Sequence, residues 1–283
     1  MAVKAVQQIM LGSVTGNEAA ARTTLAEIKK AGYDGIELNG FMIRPTPFLV
    51  RVLTKAAGMP TGKGGKLNWK ELVQESGLKV TSIQEDLGGI ERDPEAIIRE
   101  AEEFGTTNIV LTGMYRFDYS DKLAMADLTK RLNAAGKALK EGGVSFSYHN
   151  HNCEFRKLPS GRTAYQFLID ETDPEYVNFE LDSYWPTEAG VSALELMKQL
   201  GSRMKLYHIN DRGTRLVGAS MTPILKSDSM ELGYGNMDLV ALTNQALSVN
   251  VDAVILESHK NWVDKSPIAS LKKSAEFMNS HVK

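Results

Sequence analysis

Hydrophobic positions alternate along the chain between short β-like runs and longer amphipathic stretches, and this rhythm persists from end to end. Short runs rich in β-branched and aromatic residues indicate strands, whereas apolar positions three or four residues apart indicate helices. The pattern predicts eight strands, at Val6–Leu11, Asp34–Leu38, Lys79–Gln84, Asn108–Leu111, Val144–His149, Val177–Asp182, Met204–Ile209 and Val251–Leu256.

Helical stretches with recognisable boundary residues separate the predicted strands. Gly32 ends the first helix, and Asp93-Pro94 begins another with proline at its favoured first position. A Gly- and Pro-rich loop at 58–65 separates two helical pieces. The predicted helices are Glu18–Ala31, Phe48–Ala57, Trp69–Ser76, Asp93–Phe104, Asp121–Glu141, Ala164–Ile169, Ser192–Leu200, Leu239–Leu247 and Ile268–Asn279.

The length and composition of the chain favour one eightfold barrel. The chain has 283 residues, 42% of them hydrophobic and 24% charged, and a barrel of eight strand–helix units typically needs about 250 residues. No change of composition divides the chain, so we predict an α/β fold with a single (β/α)8 TIM barrel domain over residues 1–283. An open doubly wound sheet is disfavoured because residues 10–16 lack the G-x-G-x-x-G spacing of a dinucleotide-binding turn.

Charge and cysteine content restrict the expected partners and location. A net charge of −2 disfavours a nucleic-acid partner, because neutralising phosphates requires a basic surface. The single cysteine, Cys153, precludes an internal disulfide and fits a reducing compartment. The first residues lack the features of a secretory signal, and no uncharged apolar run approaches the roughly 18–20 residues that cross a bilayer. We therefore expect a cytoplasmic protein without a membrane partner.

Polar residues gather at the ends of four consecutive predicted strands. In a strand, residues two apart point to the same face, and the carboxyl ends of barrel strands meet at one mouth. Several pairs would therefore direct two polar groups to the same side: His149 with His151, Glu180 with Asp182, His208 with Asn210, and Glu257 with His259.

These residue types are the usual ligands of a catalytic metal. Asp182, His208 and Glu257 end three successive strands and are expected to converge. A fourth ligand should come from the fifth strand or its loop, where His149, His151 and Glu154 compete. Each residue alone is also explained as a hydrogen-bonded polar group at a strand end. Four consecutive strands ending in compatible ligands favour a metal site.

The ordered motifs resemble the xylose-isomerase-like barrel superfamily, in its sugar phosphate isomerase/epimerase branch. They cover nearly the whole chain and are specific for the superfamily but weak for any one substrate. The matching segments are 32–38 (GYDGIEL), 148–155 (YHNHNCEF), 181–185 (LDSYW), 208–211 (HIND), 231–238 (ELGYGNMD) and 256–259 (LESH).

The resemblance implies one bound divalent ion, held by a Glu, an Asp, a His and a second Glu. Mn²⁺ is expected first, with Mg²⁺, Co²⁺, Zn²⁺ and Fe²⁺ as alternatives. By position, Asp182, His208 and Glu257 take the last three places. Glu154 is preferred over His149 for the first place, because relatives with the Tyr-His-Asn-His pattern also carry the downstream Glu-Phe. His149 and His151 would then bind substrate or support the ligands.

The activity implied is isomerisation or epimerisation of a sugar or sugar derivative through an enediolate. Glu257 is the candidate base, with Glu154 as its counterpart on the opposite side. A keto-inositol or keto-sugar dehydratase using the same metal site is the alternative, and a non-enzymatic sugar-binding protein is a remoter one. Apurinic-site endonucleases share this barrel, but their metal cluster needs about nine ligands, and the chain has only five histidines.

Other polar and aromatic residues are expected at the barrel mouth. Trp185 would stack on a sugar face, Glu37 would bind hydroxyls, and Arg212 would receive an anionic group. His259 and Lys260 are candidates for proton shuttling or hydroxyl recognition. Packing or a solvated rim position is the alternative for each of these residues. The stretch 213–234 is long for a loop and would form a lid or a surface insertion. The substrate is expected to be a small carbohydrate, and a homo-oligomer is possible.

Overall fold

The computed structural model describes residues 1–44, 66–215 and 218–283. Within these residues, eight parallel strands close into a barrel in the order β1-β10-β7-β6-β5-β4-β3-β2, and β8 and β9 form a separate antiparallel hairpin. The predicted (β/α)8 barrel is confirmed. The strands are β1 (Val3–Gln7), β2 (Gly35–Asn39), β3 (Lys79–Glu85), β4 (Asn108–Leu111), β5 (Ser145–His149), β6 (Asn178–Asp182), β7 (Met204–Ile209), β8 (Asp211–Gly213), β9 (Asp228–Met230) and β10 (Ala253–Leu256).

Helices follow the barrel strands, and most of the described ones begin at a side chain that caps them. Asn17 accepts a hydrogen bond from the backbone of Ala20 at 2.9 Å, and Asp121 accepts one from Leu123 at 2.8 Å. The helix predicted at Phe48–Ala57 lies outside the described residues. The described α-helices are Glu18–Ala31, Gly40–Ile43, Trp69–Ser76, Leu87–Arg92, Pro94–Phe104, Lys122–Glu141, Ala164–Glu171, Tyr184–Glu188, Ala193–Leu200, Leu239–Ser248 and Pro267–His281. Among the described helices, none combines the length and apolar character needed to cross a membrane.

The first strand differs from its prediction at Val6–Leu11. The strand occupies Val3–Gln7, and the apolar run that follows, Gln8–Leu11, is a buried 3-10 turn. The Gln7 side chain accepts a hydrogen bond from the backbone N–H of Ile9, which caps this turn and ends the strand. The predicted bounds were wrong because the residues of the turn are as buried as those of the strand, so their hydrophobic pattern does not distinguish the two. The shift places Gln7 in the barrel interior.

The barrel interior is apolar at one level and polar at the next. Ala5, Val110, Leu206, Ala253 and Ile255 form a small buried cluster between the strands. Alternate residues of a strand share a face, so the residues two positions beyond Ala5, Leu206 and Ile255 also point inward, and these are polar. The resulting polar layer contains Gln7, His208 and Glu257, joined from other strands by Glu37, Ser82, Gln84, His149 and Glu180. A much larger hydrophobic cluster seals the strands against the helices.

Candidate metal centre

Four buried side chains converge where the carboxyl ends of β5, β6, β7 and β10 meet. His149, Asp182, His208 and Glu257 each offer one ligand atom, and these four atoms lie within 4.8 Å of one another. Their exposed fractions are 2%, 0%, 0% and 5%. The structure thus brings together the three ligands that the strand-end motifs predict, Asp182, His208 and Glu257, and adds His149 as the fourth donor.

Backbone pairing and a local hydrogen-bond clamp fix Asp182. Asp182 on β6 is level with His208 on β7. The Asn150 side chain accepts a bond from the Asp182 N–H and donates to the Asp182 carbonyl, both at 3.1 Å. The Tyr184 N–H donates to Oδ1 of Asp182 at 2.8 Å, whereas Oδ2 is buried and has no hydrogen-bond partner among the described residues. A buried carboxylate oxygen left without a partner among three other donors fits a cation.

Electrostatics at the centre also fit a cation. Burial raises the pKa of Asp182 well above its ordinary value, and the charge of Glu257 adds to the rise. Burial opposes protonation of His208, but Glu180, Glu37 and Glu257 together raise its pKa well above the ordinary value. The centre therefore retains protons when it holds no ion. A divalent ion would replace these protons, because ligands bind metals in their deprotonated forms.

Glu257 connects the centre to the mouth. Its Oε2 lies 3.0 Å from Nδ1 of His208, and its Oε1 lies 3.3 Å from Nε2 of His259. Burial alone would raise the pKa of Glu257, but His259 and His208 hold it well below the ordinary value. Glu257 is therefore ionised at neutral pH.

Glu154, predicted as the first ligand, is not among the four converging donors. Its Oε1 accepts a bond from the Tyr148 hydroxyl at 2.8 Å, and its Oε2 accepts bonds from the His151 N–H at 3.0 Å and the Cys153 thiol at 3.2 Å. Tyr148 and His149 are successive residues of β5 and point to opposite faces. Glu154 therefore bonds to a side chain that leaves β5 on the face opposite His149. The geometry favours His149 as the fourth donor.

Two further carboxylates lie beneath the centre. Glu37 is fully buried, and its Oε2 lies 2.7 Å from Nε2 of His208, so it does not reach the mouth, where a substrate role was predicted. Burial and the nearby charge of Glu180 raise the pKa of Glu37 to about 7, although His208 lowers it. Oε2 of Glu180 lies 2.9 Å from Nδ1 of His149 and 3.2 Å from Nε2 of His208. Sequence reasoning assigned Glu180 no role, although its position two residues before Asp182 placed it on the inner face.

A cavity of about 670 Å³ opens above the donors. Six of the predicted site residues line it, and Asn39, Gln84 and Tyr119 do so as well. Gln84 ends the third predicted strand and is one of the polar residues that the sequence places at the mouth. Asn39 lies at the end of β2, so the strand-end rule used for the later strands would have identified it. Tyr119 belongs to a loop and carries no such signal. The six predicted residues are His149, His151, Trp185, Glu257, His259 and Lys260.

His151 and Trp185 form an aromatic wall of this cavity. Their ring centroids lie 5.7 Å apart, and His151 also packs edge-on against His149 at 5.0 Å. Burial, with a contribution from His149, lowers the pKa of His151 to about 4. His151 is therefore a neutral imidazole at physiological pH. The Trp185 indole nitrogen is buried and has no hydrogen-bond partner within the described part of the chain.

The cationic residues near the mouth are engaged in ion pairs. Arg212, predicted to receive an anionic group, lies outside the mouth cavity and lines a separate cavity of about 340 Å³. Its Nε lies 2.6 Å from the Glu188 carboxylate. Lys260 lines the mouth, with Nζ 3.2 Å from Oδ1 of Asp228. The structure therefore keeps Lys260 and His259 at the mouth and places Arg212 elsewhere.

Comparisons with known proteins agree with this architecture. The family model described as xylose isomerase-like TIM barrel matches residues 25–281. Among curated proteins, none matches the sequence. The chain is similar to a solved sugar phosphate isomerase/epimerase from Parabacteroides distasonis ATCC 8503, with 21% identity, 99% of this chain and 94% of that chain covered, and a TM-score of 0.76.

Two other solved structures share the fold at lower identity. An L-ribulose 3-epimerase is 15% identical, with 100% of this chain and 95% of that chain covered and a TM-score of 0.67. The IOLI protein with a binding zinc atom is 15% identical, with 99% and 98% covered and a TM-score of 0.63. At these identities the similarity establishes the fold. The family match confirms the resemblance seen in the sequence: the chain belongs to the xylose isomerase-like TIM barrel family.

Proposed function

We propose that the chain is a divalent-metal-dependent enzyme that isomerises or epimerises a sugar or sugar derivative by moving a proton next to a carbonyl group. The observation that carries the proposal is the convergence of four buried donors, one with an oxygen lacking a partner among the described residues, below a cavity of about 670 Å³. The cavity is of the size that small-molecule sites usually have. The names of the similar solved structures also support a sugar substrate.

His149, Asp182, His208 and Glu257 would hold the ion. Two imidazoles and two carboxylates suit Mn²⁺, which we propose as the metal, and also Zn²⁺, Co²⁺ and Fe²⁺. Mg²⁺ fits this set less well, because it prefers oxygen ligands. A bound divalent ion supplies a Lewis acid that polarises the substrate carbonyl and stabilises an enediolate.

Two residues of the cavity are suited to move the proton. Glu257 is an ionised carboxylate that lines the cavity, so we propose it as the base. His151 lines the same cavity as a neutral imidazole, which accepts or returns a proton readily. Both oxygens of Glu154 accept hydrogen bonds from neighbouring groups, so we propose His151 instead as the second proton carrier. Trp185 provides an apolar surface for one face of the sugar.

A dehydratase acting on a keto-inositol or keto-sugar is the second candidate, favoured by one observation. His259 lies at the mouth beside Glu257, which raises the pKa of His259 although burial opposes its protonation. A protonated His259 would assist departure of a hydroxyl group as water. A sugar-binding protein without turnover is the remoter candidate.

The test is metal analysis of the purified protein, followed by incubation with a panel of keto-sugars in D₂O. Incorporation of deuterium at carbon without a change of composition supports isomerisation or epimerisation, whereas loss of water identifies a dehydratase. Asp182→Asn and Glu257→Gln should abolish exchange. Glu188→Gln, which changes a carboxylate outside the cavity, is the matched control and should retain it. Absence of a bound ion together with absence of exchange in the wild type would refute the proposal.

We further propose that the enzyme is cytoplasmic, acts on a small carbohydrate and has no nucleic-acid or membrane partner. We include a homo-oligomer among the assemblies to be tested. These points stay predictions. Cell fractionation and light scattering of the purified chain test location and assembly directly.

A further inference from the structure

Each histidine of the centre is bonded through one ring nitrogen to a carboxylate that lies deeper in the barrel. Nε2 of His208 lies 2.7 Å from Oε2 of Glu37, and Nδ1 of His149 lies 2.9 Å from Oε2 of Glu180. Both carboxylates are completely buried. They come from β2 and β6, so strands on opposite sides of the barrel support the two rings.

A chain of side-chain amides determines the direction of the bond between Glu37 and His208. The backbone N–H of Ile9 donates to Oε1 of Gln7, so the Gln7 amide nitrogen faces Gln84 and donates to its Oε1 at 2.9 Å. The Gln84 amide nitrogen therefore donates to Oε2 of Glu37 at 2.9 Å. Glu37 stands at the accepting end of this chain, and Nε2–H of His208 donates to it.

The hydroxyl of Ser82 completes the surroundings of Glu37 by donating to its Oε1 at 2.7 Å. Three donors thus converge on one carboxylate, so Glu37 acts as an acceptor in the buried layer. Nδ1 of His208 lies on the side of Glu257, 3.0 Å from Oε2, and would present its lone pair to an ion once its proton is released. Nδ1 of His149 lies 2.9 Å from Oε2 of Glu180, and because a carboxylate oxygen accepts, the proton of this bond belongs to Nδ1 and Nε2 is left for the ion.

We propose that Glu37 and Glu180 are positioning residues that hold His208 and His149 in opposite tautomers, so that His208 presents Nδ1 and His149 presents Nε2 to the same ion. This proposal rests on the metal centre of the proposed function. A carboxylate behind a ligating imidazole fixes the ring and increases its basicity, and loss of such a partner typically costs about 10–100-fold in metal affinity.

Glu37, Glu180 and His208 also lie close enough together to form a second cation site, since their ligand atoms are within 4.8 Å of one another. The positioning role is favoured because Nε2 of His208, the nitrogen that such a site would use, already donates to Glu37. The number of ions bound per chain distinguishes the two.

The experiment measures Mn²⁺ and Zn²⁺ binding to the full chain by equilibrium dialysis, in the wild type, Glu37→Gln and Glu180→Gln. We expect one ion per chain and affinity about 10–100-fold weaker in each variant. Glu231→Gln is the matched control, because Glu231 is also buried and hydrogen-bonded, to Ser270 and Val263, but lies outside the centre. It should lower thermal stability without changing metal affinity.

A second measurement needs no variant. Long-range ¹H–¹⁵N spectra of the Zn²⁺-loaded wild type, with ¹⁵N-labelled histidine, should show the proton of His208 on Nε2 and that of His149 on Nδ1. The same tautomer at both residues, two ions per chain, or unchanged affinity in both Glu variants would overturn the positioning role. If the wild type binds no ion, the proposed function itself fails. If it binds one ion and the variants bind equally well, only the positioning role fails.

Discussion

The structure predicts that His149, and not Glu154, is the fourth ligand of the proposed metal ion. Glu154 and His149 lie five residues apart, and both are buried, but only His149 joins Asp182, His208 and Glu257. We expect His149→Gln to weaken metal binding and Glu154→Gln to leave it intact. Glu154→Gln should still lower stability in EDTA, because the amide cannot accept all the bonds now made by Tyr148, His151 and Cys153.

The expected magnitude follows from ligand linkage. An ion at 100 times its dissociation constant stabilises the folded wild type by about 2.7 kcal/mol, because it binds the folded state alone. For a chain of this size, about 1 kcal/mol changes the melting temperature by roughly 2–4 °C, so the ion should raise it by roughly 5–11 °C. If loss of His149 weakens binding about 100-fold, the same concentration contributes only about 0.4 kcal/mol, or roughly 1 °C.

Differential scanning fluorimetry in EDTA and in Mn²⁺ measures this difference directly. The comparison is between the metal-induced shifts, so a lower starting stability of either variant does not affect the conclusion. A full shift in His149→Gln together with a lost shift in Glu154→Gln would refute the geometric assignment and restore Glu154 as the ligand. Asp182→Asn should abolish the shift in either case.

Three further predictions concern protons and the substrate. Because the pKa of His208 is raised in the ion-free centre, metal binding at pH 7 should release at least one proton, and affinity should rise with pH; isothermal titration in buffers of different ionisation enthalpy measures this release. The pKa of His151 is about 4 in the folded chain and about 6.5 in the unfolded chain. As the pH falls, the unfolded chain therefore takes up this proton before the folded chain does. The free energy of unfolding should decrease between pH 6.5 and pH 4, by at most about 3 kcal/mol. In urea titrations with EDTA present, His151→Gln should make the free energy of unfolding depend less on pH between 6.5 and 4. An unchanged dependence would contradict the lowered pKa of His151. Trp185→Ala should raise KM by about tenfold while Trp185→Phe retains most of the affinity, because the ring supplies apolar contact to the sugar; steady-state kinetics with the substrate found in the D₂O panel checks both.

The sequence alone determined the barrel and most residues of the candidate metal centre. The strands Asn108–Leu111 and Met204–Ile209 were predicted with the bounds that the structure has, because they are short β-branched or apolar runs between clear helices. Asp182, His208 and Glu257 were identified because alternate residues of a strand share a face and parallel strands end at one mouth. Such rules need only local spacing and chain direction.

The tertiary structure decided which polar groups converge at the candidate metal centre and which lie beneath it. The position of Glu154 depends on how the loop after β5 folds back onto Tyr148, and no local spacing encodes that. Glu37 lies below the centre instead of at the mouth because the register between neighbouring strands fixes the height of each side chain in the barrel. Arg212 points to a different cavity because Glu188, the last residue of the helix Tyr184–Glu188, pairs with it. Depth, register and loop packing are properties of the closed barrel, so these roles followed only from the assembled fold.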